Sequence, residues 1–259
     1  MLLNKNIPIP LYYQLAEQLN EQIQTGQLQP GVQLPSEREL SEQFEISRMT
    51  VRQAIGYLVQ QGVLVVKQGV GTFVAEPKLA HDTLHLLGFT EEMMSQGGTI
   101  TSQVLEQAIA TPPLRVVDGL KLEPEESVVK IVRLRLSGNI PLLLETIFIS
   151  STLCPDLELK DLTTTSLYTI LEQDYSLHLS YAEQMLEATT ANDYECTLFG
   201  LEPGTAMILL EGVTYLNQGQ PVEYFKAIYR GDRFRFKLES QRNITLESAN
   251  GPRISMVLA

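Results

Sequence analysis

Two pairs of arginines carry the chemistry of this chain. Arg48 and Arg52 stand in SRMTVR, and Arg133 and Arg135 alternate with apolar residues in VRLRL. A guanidinium is a permanently charged planar fork, and it fits paired acceptors such as a phosphate or the guanine edge in the major groove. The first pair lies in a run without acids: Ile46 to Ala75 contains Arg48, Arg52 and Lys67 but no Asp or Glu. Such a local field attracts a polyanion. The second pair lies in acidic surroundings. The chain carries a formal charge of −12, and residues 1–75 hold five Lys or Arg against six Glu, so eleven of the twelve net negative charges follow residue 75. Nucleic acid therefore suits only the front of the chain. Arg133 and Arg135, two apart on a strand, project from one face and repel each other unless an anion sits between them, phosphate being the natural candidate. Plainer readings exist for both pairs. Arg48 and Arg52 can form a solvated helix face, and Arg133 and Arg135 can pair with acids of their own domain.

The front elements can be read residue by residue. Pro10 opens a helix whose Leu11, Leu15, Leu19 and Ile23 line one face until Gly26. Ser36 and Glu39 have the spacing of a capping box, which starts a second helix with Leu40 and Phe44 on its apolar edge. Ser47 caps a third, where Val51, Ala54, Ile55 and Leu58 form one buried stripe and leave Arg48, Thr50 and Arg52 pointing away. Gly62 ends it. Val63 to Val66 and Thr72 to Val74 then read as two strands around a tip that Gly69 and Gly71 permit. Helices followed by a hairpin of this kind make a winged helix-turn-helix, a device for placing a helix in a DNA groove. Tyr12 and Tyr13 read as helix packing rather than base stacking.

At 259 residues and 44% hydrophobic content the chain suits two domains with full cores. No apolar run is long enough to cross a bilayer, and MLLNKNIPIP lacks the features of a secretory signal, so a cytoplasmic protein is expected. Cys154 and Cys196 have no CxxC spacing and read as reduced core thiols. His81 and His85 are four apart, but further ligands are missing and no metal is expected. GxSxG, P-loop, HExxH and a complete dinucleotide fingerprint are absent. The domains are expected at 1–75 and 83–240, with a linker over 76–82 and a tail over 241–259. Alternation predicts strands over 128–136, 142–150, near 181–188, 206–216, 221–230 and 233–238, and a helix over about 166–175. Short turns such as SGN at 137 and NQGQ at 217 favour hairpins, hence an antiparallel α+β core. Ser166, and Phe89 with Thr90, stand at helix starts, where free amides favour an anion.

LPSEREL at 34–40, SRMTVR at 47–52, PLYYQLAEQL at 10–19 and GVGTFV at 69–74 together resemble the GntR family of bacterial transcriptional regulators. The resemblance implies that Arg38, Arg48 and Arg52 contact base edges and phosphates, that Ser47 and Thr50 contact phosphate, and that Gln68 and Gly69 bring the wing tip to the minor groove. The segments GFTEEMMSQG at 88–97, VRLRLSGNIPLLLETIFI at 132–149, SLYTILEQDYSL at 166–177 and residues 201–236 resemble the UTRA effector-binding domain of the HutC subfamily, whose fold is like that of chorismate lyase. The fold class expected is thus two-domain α+β, a mainly α winged head and a mixed antiparallel-sheet UTRA domain. From sugar-phosphate-binding members, the resemblance implies that Arg133, Arg135, Ser166 and Tyr168, with amides around Phe89 and Thr90, hold a phosphate. Glu145, Glu223 and Tyr229 then face the sugar.

The function expected is a repressor of a sugar or amino-sugar operon, binding an inverted-repeat operator as a homodimer and released by a small phosphorylated sugar. No cofactor is expected besides this anionic effector. Two other readings remain: a chorismate-lyase-like enzyme, or a DNA-binding protein that takes no effector.

Overall fold

The computed structural model describes residues 3–76, 78–82 and 86–238. The described chain divides into two compact units, Met1–Leu79 and Ala80–Ala259. In the first unit, α1 (Leu11–Gln24), α2 (Glu37–Phe44) and α3 (Arg48–Gln60) precede β1 (Leu64–Lys67) and β2 (Gly71–Val74). The expected apolar positions form its core: Leu15, Leu19, Leu40, Phe44, Val51, Ala54, Ile55 and Leu58 are buried together with Leu34, Leu64 and Val74. Tyr12 and Tyr13 pack against Tyr57 with ring centroids 6.2 and 5.6 Å away, which joins α1 to α3.

The caps are those the sequence predicts. Ser36 Oγ accepts the Glu39 amide at 3.3 Å, and the Ser36 amide donates to Glu39 Oε2 at 2.8 Å. Ser47 Oγ accepts the Thr50 amide at 3.1 Å. Between these helices Glu45 adopts a left-handed conformation, φ 51°, and turns the chain sharply. Ser36→Ala should therefore lower the head's unfolding free energy by about 1 kcal/mol, read as a shift in denaturant midpoint; an unchanged midpoint would show that the cap contributes nothing.

The second unit is built on a six-stranded antiparallel sheet in the order β4 (Ile100–Ala110), β5 (Val128–Ser137), β6 (Ile140–Ser150), β9 (Pro221–Arg230), β8 (Ala206–Leu216), β7 (Leu179–Thr190). Side chains alternate across it, so the two faces have different covers. Val129, Ile131, Ile147 and Ile149 pack against α6 (Leu167–Gln173) and a 3-10 turn at Leu157–Leu159. Opposite them, Val128, Phe148 and Tyr224 meet α5 (Leu114–Leu120), while Leu134, Leu144 and Ile228 meet α7 (Asp193–Phe199). A short helix, α4 (Phe89–Ser95), and a two-stranded sheet of β3 (Leu79–Asp82) with β10 (Phe234–Lys237) complete the unit.

Several boundaries differ from expectation. β4, α5 and α7 have no counterpart in the sequence reading; ITSQVLEQAIA in β4 mixes polar and apolar residues with no single period because its burial is broken by a bulge between Val104 and Glu106. β6 begins at Ile140 rather than 142, directly after the Gly138–Asn139 turn, in which Gly138 has φ 57°. α6 stops at Gln173 rather than 175. Leu79–Asp82, expected within a linker, forms β3 instead, since its partner β10 lies some 155 residues away and local reading cannot find it. The tail over 241–259 lies outside the described residues. Cys154 and Cys196 are free and buried, and burial pushes the Cys154 thiol up to about 12.

Candidate functional site

On the head, α3 presents one exposed face. Arg48, Met49, Arg52, Gln53 and Gly56 are exposed there, Met49 to 68%. Arg52 is already oriented. Its Nε and Nη2 donate to the two oxygens of Glu37 on α2 at 2.9 and 2.8 Å, a bidentate fork that holds the Glu37 carboxyl below its usual range and raises Arg52. Arg38 is exposed and lies 3.6 Å from Glu42. The hydroxyls of Ser47 and Thr50 meet at 2.8 Å, so both are engaged in the cap while remaining at the helix start. Gln68 and Gly69 sit at the exposed hairpin tip, where Gly69 has φ 74° and a side chain would be strained. Lys67 folds over the Phe73 ring at 4.6 Å. Glu37 and Met49 went unread in the sequence: the former because its partner is on another helix, the latter because an apolar residue between polar ones looks like packing.

In the second unit, Arg133 and Arg135 lie on the α6 side of the sheet and are 2 and 3% exposed. One carboxylate serves both. Glu145, directly opposite Arg133 in the β5–β6 register, places Oε1 at 2.7 Å from Arg133 Nε and 2.8 Å from Arg135 Nη1. The first contact is close but not aligned as a hydrogen bond; the second is. Among the described residues, Nε and Nη1 of Arg133 and Nε of Arg135 have no hydrogen-bond acceptor. Burial alone would raise the Glu145 pKa, yet the two guanidiniums outweigh it and hold the carboxylate ionised. Burial and the neighbouring Arg135 lower Arg133, which stays protonated. Hence the pair carries one more positive charge than its shared partner cancels.

The α4 start closes over this pair. Arg135 Nη2 donates to Thr90 Oγ1, and its guanidinium lies 5.2 Å from the Phe89 ring centroid. Phe89 and Thr90 thus meet Arg135 through their side chains, in addition to any role for their amides. The Gly88 backbone lies against α6, so close that an added Cβ would stand 3.2 Å from Ser166 Oγ. Ser166 caps α6, and its hydroxyl donates to Glu91 Oε1 at 3.1 Å, as does Thr169 Oγ1 at 3.3 Å. A carboxylate already sits where the sequence reading expects an anion. The Tyr168 hydroxyl donates to Glu223 Oε2 at 3.0 Å, beside Thr214 Oγ1, which donates to the same oxygen at 2.8 Å. Burial pushes Glu223 up to about 7, so near neutral pH it exists in both protonation states. Tyr229, opposite Leu143 on β6, is buried and its hydroxyl is raised by burial, then by Glu145 and Glu92.

All nine residues named for the second site therefore lie on or against one face of β5, β6 and β9. Thr214 was missed, although counting back from the NQGQ turn pairs it with Glu223. His81 and Glu92 were missed as a pair because His81 was read as linker: its Nδ1 lies 2.6 Å from Glu92 Oε2, with Phe236 and Tyr229 rings at 4.9 and 5.5 Å. His85 lies outside the described residues. No group of three or more potential metal ligands occurs among the described residues.

A winged helical unit with an exposed cationic helix, in one chain with an antiparallel α+β unit that buries two arginines, defines a two-domain DNA-binding regulator. Residues 11–74 match the bacterial regulatory proteins of the gntR family, and residues 95–235 match the UTRA domain. The chain belongs to the GntR family of transcriptional regulators and carries a UTRA domain. It is 40% identical to the HTH-type transcriptional repressor NagR of Bacillus subtilis (strain 168), over 91% of this chain and 97% of that protein. It is 30% identical to the mannosyl-D-glycerate transport/metabolism system repressor MngR of Escherichia coli (strain K12), over 90% and 97%. Among solved structures, PhnF from Mycobacterium smegmatis is similar, with a TM-score of 0.61 at 25% identity, covering 89% of this chain and 99% of that one. Family members are regulators and not enzymes, which sets aside the reading of the chain as a chorismate-lyase-like enzyme. No helix among the described residues is long and apolar enough to cross a membrane.

Proposed function

We propose that this chain is a repressor that binds an inverted-repeat operator as a homodimer and leaves it when a small phosphorylated sugar, of the amino-sugar or sugar class, binds at Arg133 and Arg135. One observation carries the reading: two buried arginines share a single carboxylate, Arg133 Nε meets it out of line, and Arg133 Nη1 and Arg135 Nε have no acceptor among the described residues. A buried cation in excess is costly, and an anion with several acceptor oxygens relieves both the charge and the unmade hydrogen bonds. A phosphate supplies both. Beyond it, Glu223, Tyr168, Thr214 and Tyr229 offer acceptors and donors suited to sugar hydroxyls, and a Glu223 poised near neutrality can accept or donate. Ser166 can join the phosphate by releasing Glu91.

Relatives support the repressor direction and the substrate class. Besides NagR and the mannosyl-D-glycerate repressor, the chain is 26% identical to a probable fructoselysine utilization operon repressor of Escherichia coli O157:H7, over 90% of this chain. On the head, Arg38, Arg48 and Arg52, the Ser47 and Thr50 hydroxyls and the Gln68–Gly69 tip are assigned to DNA. Binding an operator places the protein's work in the cytoplasm.

The test is fluorescence anisotropy with labelled operator DNA from the chain's own promoter region, titrated with hexose and hexosamine 6-phosphates, the same sugars without phosphate, and inorganic phosphate. A coupling of about 1–3 kcal/mol corresponds to a 5- to 150-fold loss of operator affinity, expected with one of the phosphorylated sugars and not with its unphosphorylated form. An operator affinity that no sugar phosphate alters would leave a DNA-binding protein without this effector and end the proposal.

A further inference from the structure

The two edges of the six-stranded sheet are not alike. β4 is covered: the Ser102 amide donates to the Thr163 carbonyl at 3.0 Å, the Gln107 side chain donates to the Leu157 and Lys160 carbonyls at 2.9 and 2.8 Å, and a bulge interrupts the strand. β7 pairs with β8 along one side, and among the described residues nothing pairs with its other side. It is 12 residues long, contains neither Pro nor Lys, and has its one irregularity at its first residues, between Leu179 and Tyr181. Both of its faces are open: Tyr181 and Met185 are 43 and 62% exposed on one, Leu186 45% on the other. A long, regular edge with apolar side chains is a template for another strand; proline, lysine, a mid-strand bulge and a covering segment are missing here among the described residues, and Glu183 and Glu187 are the charges any partner strand must accommodate.

We infer that β7 is the seam of the homodimer: it pairs antiparallel with β7 of a second copy about a two-fold axis, joining two six-stranded sheets into one. This rests on the homodimer in the reading above and adds where the copies meet. Charge narrows the register. A two-fold axis normal to the sheet keeps each residue on its own face, so the strand must pair about one of its own residues. Pairing about Met185 sets Glu183 against Glu187, and pairing about Glu183 or Glu187 sets that glutamate against itself. Pairing about Gln184 avoids all three and overlaps nearly the whole strand, from Leu179 to Thr189. Glu183 then faces Met185 of the second copy, Tyr181 faces Glu187, and Ala182 faces Leu186. Only Gln184 meets its own copy.

Directly opposed residues of an antiparallel pair have Cα atoms about 4.5–5.5 Å apart, within disulfide range. Full-length Gln184→Cys should therefore form an intermolecular disulfide under mild oxidation, while the buried Cys154 and Cys196 leave the unsubstituted chain uncrosslinked on a non-reducing gel. Met185→Glu places two carboxylate pairs across the seam and should raise the dimer dissociation constant about tenfold in sedimentation; Met185→Lys, facing Glu183, should not. A dimer in which Gln184→Cys stays uncrosslinked overturns the seam and leaves the homodimer standing. A chain that sediments as a monomer at all concentrations overturns both. Crosslinking that appears only after truncation at Leu238 assigns the edge to the chain's own last residues and overturns the seam as well.

Discussion

Arg52→Ala lowers operator affinity by roughly 5- to 150-fold per half-site, the range of about 1–3 kcal/mol for a bidentate contact to a base edge. The expectation follows from how α3 presents the residue. Ser47 fixes the helix start, the Val51–Leu58 stripe fixes its rotation against the core, and Arg52 is left on the exposed face with its fork held by both Glu37 oxygens. A long flexible side chain that is aimed before binding loses less freedom on binding. Glu37→Gln removes half of that aim without removing the arginine, so it should relax discrimination between operator variants more than it lowers affinity for nonspecific DNA. Arg38, exposed and 3.6 Å from Glu42, is not aimed in this way; its alanine variant should weaken all sequences alike and reduce the salt slope by about one. Anisotropy titrations against operator and scrambled duplexes at several salt concentrations separate these outcomes. Equal losses on both duplexes for Arg52→Ala would remove it from base recognition.

The head was legible because its signals are local. Capping box, helix stripe and wing glycines each lie within a dozen residues, and each appears where the spacing put it. In the second unit, locality fails in proportion to sequence separation. β8 and β9 were read to the residue because a four-residue turn joins them, whereas β3 finds its partner in β10 across most of the chain. The site shows the same division. Arg133 and Arg135 declared themselves by a spacing of two, but the sharing of Glu145 between them depends on the β5–β6 register, and the meeting of Arg135 with Thr90 on helix packing across 45 residues. Only the family resemblance assigns Tyr168 to the phosphate. Its ring leaves the α6 start and reaches Glu223, because the Thr214 and Glu223 side chains face the same side of the sheet.

Removing one arginine and removing their common partner should have very unequal effects on stability, because two cations sharing one anion are unbalanced. Glu145→Ala leaves Arg133 and Arg135 buried side by side with no counter-charge between them, and breaking a buried pair in this way costs about 3–5 kcal/mol. Its Tm should fall by many degrees, and inorganic phosphate or a sugar phosphate should restore part of the loss by taking the carboxylate's place. Arg135→Met keeps the stem that packs near Phe89 and leaves Arg133 with Glu145 as a balanced pair. The ligand-free protein should then be close to the parent in stability and in operator affinity, since the substitution lies in the second unit. What it loses is the response. A charged hydrogen bond is worth about 1.5–3 kcal/mol, so affinity for the phosphorylated effector should drop about 10- to 150-fold. At 100 times the parent's dissociation constant the effector adds about 2.7 kcal/mol to the parent's stability, and a 10- to 150-fold weaker affinity leaves Arg135→Met only about 1.4 to 0.3 kcal/mol of it. Operator complexes of this variant should accordingly survive effector concentrations that release the parent. If Arg135→Met binds sugar phosphate as the parent does, or if Glu145→Ala leaves Tm unchanged, the excess positive charge is balanced in some other way and the anion does not sit between these arginines.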